Sequence, residues 1–284
     1  MKYLPIFLIL LLVVSCQQSR KAESGSLENS NLALDSLVYE RLLAKFDLKF
    51  AEIEKDYETA SDARKLELDD LYEKVELEMV EAQKEFIKTN PNSQLCIPIL
   101  WEIDWSFNFA AEYRFYLEMV DPSQHGQDDY IKLEALIDQM EKVEVGKIAP
   151  DFEMNNEEGS PVRLSSIYPR SKYLLVDFWA STCGPCRLEN VNIKSAYDQF
   201  RGKGFDVVGV STDVREEHWL AAVELDRLIW SNLCSLEKWN ENEVVKTYAL
   251  RQVSQNFLLD SSGKIIATDL RGEELIHTLE KLLN

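Results

Sequence analysis

Residues 173–187, which read YLLVDFWASTCGPCR, decide the fold. The first seven of these residues are apolar or aromatic except for Asp177. A short and nearly all-apolar run of this kind is typical of a strand that is buried on both faces. Pro185 suits the first turn of a helix, because that position needs no backbone N–H donor. The stretch therefore predicts a buried strand over Tyr173–Trp179 and, after it, a helix that opens with two cysteines.

The cysteine pair carries the predicted chemistry. Cys183 and Cys186 stand three residues apart at the start of the predicted helix, a spacing that closes a disulfide with little movement of the backbone. Unpaired N–H groups and the helix dipole stabilise a thiolate at Cys183. We therefore expect Cys183 to attack a disulfide of a partner and Cys186 to resolve the mixed disulfide.

Two other uses of the pair stay open. Structural zinc needs four ligands, and the sequence offers neither a second CxxC motif nor paired histidines. An inert structural disulfide is compatible with an oxidising compartment.

The cysteine motif and its surroundings resemble the TlpA/ResA-like branch of the thioredoxin superfamily. The resemblance covers the second half of the chain and includes residues 146–152 (GKIAPDF), 204–213 (GFDVVGVSTD) and 256–266 (NFLLDSSGKII). It implies an α/β thioredoxin-like C-terminal domain, with a central mixed sheet flanked by helices. It also implies a thiol-disulfide oxidoreductase whose redox centre is the Cys183–Cys186 disulfide, with no further cofactor and no metal.

The resemblance further assigns a role to Asp177. This residue matches a buried acid that moves a proton to or from the second cysteine. Its position supports that assignment independently, since an ionisable side chain in an apolar strand should have a raised pKa. The alternative is an aspartate at the end of the strand that faces solvent.

The sequence departs from the family beside the cysteines. Thr182 stands where the family usually has tryptophan, and Val191 replaces a helix proline. Ser254 replaces a cis-proline that lies opposite the cysteines. A cis bond before a non-proline residue costs about 3 kcal/mol, so we expect a trans Val253–Ser254 bond and a rebuilt loop. Thr182, Val253 and Ser254 are the candidate substrate-loop residues, and the Ser254 hydroxyl could bond a thiolate or leave the dithiol open to metal.

The remainder of the C-terminal domain, 145–284, alternates between strand and helix patterns. Predicted strands are Pro150–Phe152, Pro161–Leu164, Phe205–Ser211, Phe257–Asp260 and Lys264–Thr268. Predicted helices are 185–200, Arg215–Arg227, Asn242–Ala249 and Glu273–Leu283.

Residues 31–144 are predicted to form an all-α helical module. Apolar residues recur at steps of three and four in two charged segments between Leu32 and Lys88. The pattern favours an antiparallel helical hairpin over a coiled-coil partner surface, because no heptad is sustained. Residues Ile99–Met119 are rich in aromatic residues, which we interpret as the core of a helical bundle. Tyr130–Val143 predicts one more helix.

The first sixteen residues are interpreted as a lipoprotein signal peptide. An apolar run after Lys2 is too short to span a membrane and ends at Ser15 and Cys16. This pattern resembles a lipobox, in which Cys16 receives a lipid. Residues 17–30 then predict a flexible tether. The sequence thus predicts a lipoprotein of the cell envelope that faces the periplasm, and an ordinary secretory signal is the alternative.

The net charge of −19 argues against nucleic acid as a partner. The expected partners are envelope proteins with disulfides, an upstream thiol electron donor, and the membrane through the lipid on Cys16. The predicted function is reduction or exchange of protein disulfides. Peroxide reduction lacks its usual threonine, because Ala180 stands in that position. A non-catalytic lipoprotein that senses redox state or binds a partner is the remaining alternative.

Overall fold

The computed structural model of the protein describes residues 26–107 and 109–283, with side chains from residue 32 onwards. The predicted signal peptide, Cys16 and most of the predicted tether lie outside the described residues. None of the helices in the described ranges is both long and apolar enough to cross a membrane.

The first half of the chain is helical, as predicted. Its α-helices are α1 (Ser26–Tyr57), α2 (Asp62–Thr89), α3 (Cys96–Glu102), α4 (Ala110–Met119) and α5 (Asp128–Met140). Helix α1 begins inside the stretch that was predicted to be a tether. Extending a helix that is already nucleated fixes one residue for one hydrogen bond, which explains how the polar residues 26–30 continue the amphipathic helix.

Helices α1 and α2 form the predicted antiparallel hairpin. Ser61 caps α2 by accepting a hydrogen bond from the backbone of Arg64 at 3.4 Å. The two helices share an apolar cluster of Phe46, Ile53, Leu68, Val75 and Met79. The heptad pattern is unnecessary because the hairpin buries its apolar face within its own chain.

The aromatic stretch differs from the prediction of a bundle core. It is interrupted by a 3-10 helix at Asp104–Ser106, and only part of it is buried. The buried aromatic side chains are Phe107, Tyr113 and Tyr116, whereas the exposed ones are Trp101, Trp105, Phe109 and Phe115. A spacing of four residues, as between Trp101, Trp105 and Phe109, places side chains on one face only of a continuous helix. The helix is interrupted here, so these three rings are not buried together.

The chain divides into two compact units at a place that differs from the predicted border between 144 and 145. One unit holds the described residues up to Ile99 together with Met119–Asp121, and the other holds those of Leu100–Glu118 and Pro122 onwards. The second unit therefore includes helix α5 and nearly all of helix α4, which are joined by ion pairs. Arg114 of α4 pairs with Asp138 of α5 and with Glu141 just after it, both at 2.7 Å. The predicted border does coincide with the change from helix to strand.

The second unit is built on a seven-stranded sheet. The strands are β1 (Glu153–Asn156), β2 (Pro161–Arg163), β3 (Tyr173–Trp179), β4 (Phe205–Ser211), β5 (Ser231–Cys234), β6 (Asn256–Asp260) and β7 (Ile265–Thr268). Their order is β2-β1-β5-β4-β3-β6-β7. Strands β3, β4 and β5 are parallel, whereas β1, β2, β6 and β7 pair antiparallel with their neighbours. The sheet is therefore mixed, as predicted.

Helices cover both faces of this sheet. They are α6 (Gly184–Phe200), α7 (Glu216–Asp226), α8 (Glu243–Thr247) and α9 (Gly272–Leu283). Residues of α6 and α9 share one apolar cluster with Leu175, Trp179 and Val207 of the sheet. On the opposite face, Phe178 lies 5.1 Å from the ring of Tyr248 and 6.0 Å from that of Phe257, measured between ring centroids.

This arrangement confirms the thioredoxin-like fold class. Strands β3 and β4 have the predicted bounds, and β1 begins one residue after the predicted segment Pro150–Phe152 ends. Strand β5 was not predicted, because it is short and carries Asn232 within it. The amide of Asn232 is buried and donates to the backbone oxygen of Trp230, two residues earlier, at 2.9 Å, so a local hydrogen bond allows this polar side chain to lie within the sheet.

Candidate functional site

The site forms where β3 ends and α6 begins. Cys183 is the N-cap residue of α6, and its Sγ accepts a hydrogen bond from the backbone N–H of Cys186 at 3.2 Å. The connection is fixed by Ser181, whose backbone N–H and Oγ both donate to the carboxylate of Asp213, at 2.8 and 2.6 Å. Cys183 thus lies at the positive end of the helix dipole, where an anion is favoured.

The two cysteines form a disulfide and differ in exposure. Their Cα atoms are 5.3 Å apart. Cys183 is half-buried, whereas Cys186 is only 3% exposed. An incoming sulfur atom therefore reaches Cys183 first. Among the described residues, no group of three or more His, Cys, Asp or Glu side chains is placed to hold a metal ion.

Asp177 is buried in the middle of the sheet, below the cysteines. Its residue is 5% exposed, and it pairs with Gly209 of β4 on one side and Asn256 of β6 on the other. Alternation along β3 places its side chain on the face of Leu175 and Trp179, which is the face that α6 covers. The alternative of a solvent-facing aspartate is therefore wrong.

The environment of Asp177 changes its acidity. Burial raises the pKa of this carboxyl to about 7, because a charged carboxylate loses its hydration there. The positive charge of Arg271 opposes this rise in the pKa, and the negative charge of Glu189 adds to it. A carboxyl group with a pKa near neutrality can both accept and return a proton under physiological conditions.

The loop opposite the cysteines is rebuilt, as the absence of proline led us to expect. Residues 26–107 and 109–283 contain no cis peptide bond, so the Val253–Ser254 bond is trans. Ser254 adopts a positive φ of 79°, which is uncommon for a residue with a side chain. Its backbone N–H donates to the oxygen of Phe178 at 2.9 Å, and the N–H of Phe178 donates to the oxygen of Gln255 at the same distance. The loop is thereby fastened to β3.

The side chain of Ser254 is engaged by an arginine. Arg271 donates from Nη1 to Ser254 Oγ at 2.7 Å and from Nη2 to the backbone oxygen of Ser254. Ser254 is 7% exposed. The other candidate loop residues differ: Val253 is half-buried against the apolar cluster that includes Cys186, whereas Thr182 is exposed.

Two residues near the site were not among the predicted site residues. Glu189 accepts hydrogen bonds from the backbone N–H of Gly272 at 2.8 Å and from Asn192 at 2.9 Å, and so ties α6 to the start of α9. Its position three residues after Cys186 was a usable signal, because i and i+3 share a helix face. Arg271 had no such signal, because only the tertiary fold brings it to Ser254.

Comparisons with known proteins agree with this geometry. A family model described as the AhpC/TSA family matches residues 145–268. The thiol-disulfide oxidoreductase ResA of Bacillus thuringiensis subsp. konkukian (strain 97-27) is 27% identical over 146 residues, which are 50% of this chain and 79% of that protein.

Two solved structures are more similar in sequence. The thioredoxin domain of a thiol-disulfide oxidoreductase from Bacteroides vulgatus is 38% identical, with 50% of this chain and 99% of that chain covered and a TM-score of 0.46. A thiol-disulfide oxidoreductase from Bacteroides fragilis NCTC 9343 is 36% identical, with 48% and 100% covered and a TM-score of 0.45. Because this identity extends over nearly the whole of both relatives, the chain belongs to the TlpA/ResA-like thiol-disulfide oxidoreductases of the thioredoxin superfamily.

Proposed function

We propose that this oxidoreductase reduces or exchanges disulfides of proteins in the bacterial cell envelope through the Cys183–Cys186 pair. The observation that carries the proposal is the unequal burial of the two cysteines at the start of α6. The half-buried Cys183 is open to a partner, whereas Cys186 is enclosed between the helix and the sheet. Such an arrangement suits one attacking thiol and one resolving thiol.

The first step is attack by Cys183. In the reduced protein, its thiolate attacks one sulfur of a partner disulfide, a mixed disulfide forms, and the other partner sulfur leaves as a thiolate that takes up a proton. The N–H of Cys186, which lies 3.2 Å from Cys183 Sγ in the disulfide form, and the helix dipole support the negative charge on Cys183 before the attack.

The second step is resolution by Cys186. Its thiol gives a proton to the carboxylate of Asp177, and the resulting thiolate attacks Cys183 Sγ. The bond between Cys183 and the partner breaks, the partner leaves as a thiolate, and the Cys183–Cys186 disulfide forms. The pKa of about 7 for Asp177 supports this role, since the carboxylate is then basic enough to accept the proton.

The cycle needs two electrons to return to the dithiol. We assign their supply to a second thiol protein, which reduces Cys183–Cys186 by the same exchange in reverse. No other cofactor enters these steps. In this scheme the partner peptide lies beside Thr182, Val253 and Ser254, which surround the cysteines on the loop side and at the start of α6.

The location in the envelope rests on the amino terminus. The apolar run that ends at Cys16 supports a lipoprotein signal, and lipid on Cys16 would anchor the enzyme to a membrane with its redox domain in the periplasm. Metabolic labelling with a radioactive fatty acid tests this part. Wild-type protein should carry the label and Cys16→Ser should not, and an unlabelled wild-type protein would exclude the anchor.

A redox titration of the protein without residues 1–16, with alkylation of free thiols at each step, tests the chemistry. We expect one reversible two-electron transition that disappears in Cys183→Ser and in Cys186→Ser. We also expect Cys186→Ser, but not Cys183→Ser, to accumulate a mixed disulfide with a peptide substrate. The buried Cys234 provides the matched control, because Cys234→Ser should keep the transition. A wild-type protein without a transition would exclude the proposal.

A further inference from the structure

The contact between Arg271 and Ser254 joins two parts of the site that are separate in sequence. The guanidinium donates to Oγ at 2.7 Å and also to the backbone oxygen of Ser254. The backbone N–H of Ser254 donates to Phe178. Each polar group of Ser254 is therefore held, by β3 on one side and by Arg271 on the other.

Ser254 needs such support because of its conformation. A positive φ of 79° is unfavourable for a residue with a Cβ atom, and it persists only where neighbouring groups fix it. A bidentate arginine is well suited to this task, because its planar fork binds two oxygens in a fixed geometry. Lysine, with a single ammonium group, cannot reproduce that geometry.

Arg271 is itself anchored in the frame of the sheet and helices. It immediately precedes α9, and its backbone oxygen accepts a hydrogen bond from Glu274 at 3.0 Å. The next residue, Gly272, donates to Glu189 of α6 at 2.8 Å. The guanidinium is thus presented from a fixed point between the helix that carries the cysteines and the loop that faces them.

Arg271 is also held beside Asp177 by the fold. Asn256, the β6 partner of Asp177, exchanges two hydrogen bonds with Leu270, the residue before Arg271, at 2.8 and 3.0 Å. Arg271 from the start of α9 and Glu189 from α6 are the charged groups that act on this buried carboxyl, with opposite effects on its pKa. Cys186 of α6 packs in the apolar cluster on the face of the sheet to which Asp177 belongs, and it adds a titratable thiol on that face when the disulfide is open. Loss of Arg271 removes the positive member of this set, so the pKa of Asp177 should rise further.

We propose that Arg271 is a positioning residue that couples the conformation of the substrate loop at Ser254 to the ionisation of Asp177. This inference rests on the proposed function, in which Ser254 lies beside the partner peptide and Asp177 receives the proton of Cys186. One side chain thereby serves both partner binding and proton transfer, in a protein whose loop lacks the proline ring of its family.

Two substitutions separate the two effects. In Arg271→Met both the charge and the fork are lost. In Arg271→Lys the charge remains and the fork is lost. Arg201→Met is the control, because Arg201 follows the far end of α6, with its guanidinium 5.7 Å from the ring of Tyr197.

The measurements are the pH dependence of peptide-disulfide reduction, with its kcat and KM, and the carboxyl resonance of Asp177 in 13C-labelled protein from pH 4 to 9. Arg271→Met should move the midpoint of the resonance upward by roughly one pH unit and raise KM several-fold. Arg271→Lys should raise KM to a similar extent while it moves the midpoint by less than about half a unit. Arg201→Met should change neither quantity.

Several outcomes would overturn the inference. One is an Arg271→Met protein that is folded and has the wild-type midpoint and KM. Another is a variant with a lower Tm whose midpoint and KM are unchanged, because that is the result of a purely structural contact. If Arg271→Met does not fold, the test passes to Arg271→Lys. An Arg271→Lys protein with the wild-type KM would then overturn the inference. Failure of the proposed function is distinct, because the wild-type protein would then reduce no disulfide, whereas the resonance of Asp177 would still report on Arg271.

Discussion

The two sides of the active site are built in different ways. The cysteine side is contained in the ten residues from Asp177 to Cys186, and apart from Thr182 it keeps the pattern of its family. The loop side joins Ser254 to Arg271, seventeen residues further along the chain, and it departs from that pattern. The chemistry of the cysteines depends on a helix start and a buried strand, and a short stretch of sequence encodes both. The loop at Ser254 lacks the family's proline, and the guanidinium of Arg271, which is distant in sequence, supports it instead.

This difference separates the expected effects of substitutions. Under the proposed function, we expect changes on the cysteine side to alter the stabilisation of charge and the movement of protons. We expect changes on the loop side to alter the conformation that a partner peptide meets. The three predictions below test that division, beginning with the largest expected effect.

Asp177→Asn should change both stability and rate. The folded-state pKa of Asp177, about 7, lies above the pKa of about 3.8 that an aspartate has in an unfolded chain, so the folded protein binds more protons than the unfolded chain between these values. The wild-type protein therefore loses stability as the pH rises from about 4 to about 7, by roughly 4 kcal/mol in total. Asp177→Asn lacks this loss and should be more stable than wild type above pH 7.

Urea unfolding at pH 4, 6 and 8, together with stopped-flow reduction of a peptide disulfide, measures both effects. We expect the resolving step of Asp177→Asn to be slower by roughly 10²-fold, since a general base is removed. Asp206→Asn is the control for the rate. Burial also raises the pKa of this carboxyl, but it lies at the start of β4, opposite Leu174, so its loss should leave the resolving step unchanged. Equal pH dependence in wild type and Asp177→Asn would contradict the assignment.

The elements that the sequence predicted well are those with a strong local pattern. Strands β3 and β4 are nearly continuous apolar runs, and their bounds were predicted correctly. The buried position of Asp177 followed from its place in such a run. By contrast, β5 was missed because Asn232 interrupts its apolar character, although in the fold its amide nitrogen donates to the backbone oxygens of Leu228 and Trp230.

The loop side shows the limit of local reasoning. The sequence indicated that Ser254 could not keep the family conformation, because the proline was absent. It did not indicate what replaces the proline, since Arg271 carries no motif and meets Ser254 only after β6, β7 and α9 are placed. The aromatic stretch from Trp101 to Phe115 was misjudged for a related reason, since a break in the helix decides which rings are buried.

Ser254→Pro should destabilise the protein even though it restores the residue of the family. Proline cannot adopt the φ of 79° found here, and it has no N–H to donate to Phe178. The loss of both features, together with the bond from Arg271 to Oγ, should lower the free energy of unfolding by about 3 kcal/mol. Thermal and urea unfolding measure this loss.

Ser254→Gly is the matched control for that substitution. Glycine adopts a positive φ without strain and keeps the backbone N–H and oxygen, so only the Oγ contact is lost. We expect its unfolding free energy to remain within about 1 kcal/mol of wild type. A Ser254→Pro protein as stable as wild type would mean that the loop accepts the family conformation, and that the two sides of the site are less different than the structure indicates.

Thr182→Trp should have the smallest effect on stability and a selective effect on partner binding. Thr182 is exposed at the start of α6, so its replacement should change the free energy of unfolding by less than about 0.5 kcal/mol. The added ring restores an apolar cover beside Cys183, which should lower KM for a peptide disulfide by a few-fold through contact with the peptide. Leu225→Trp, at a position on α7 that is 72% exposed, adds the same ring elsewhere and should leave KM unchanged.

If Thr182→Trp lowers kcat instead of KM, the residue before Cys183 acts on the chemistry of the thiol. The cysteine side would then combine the chemistry with the fit of the partner, and the two sides would be less distinct. An unchanged KM would place peptide recognition on the loop of Val253 and Ser254 alone, which is the stronger form of the division between the two sides.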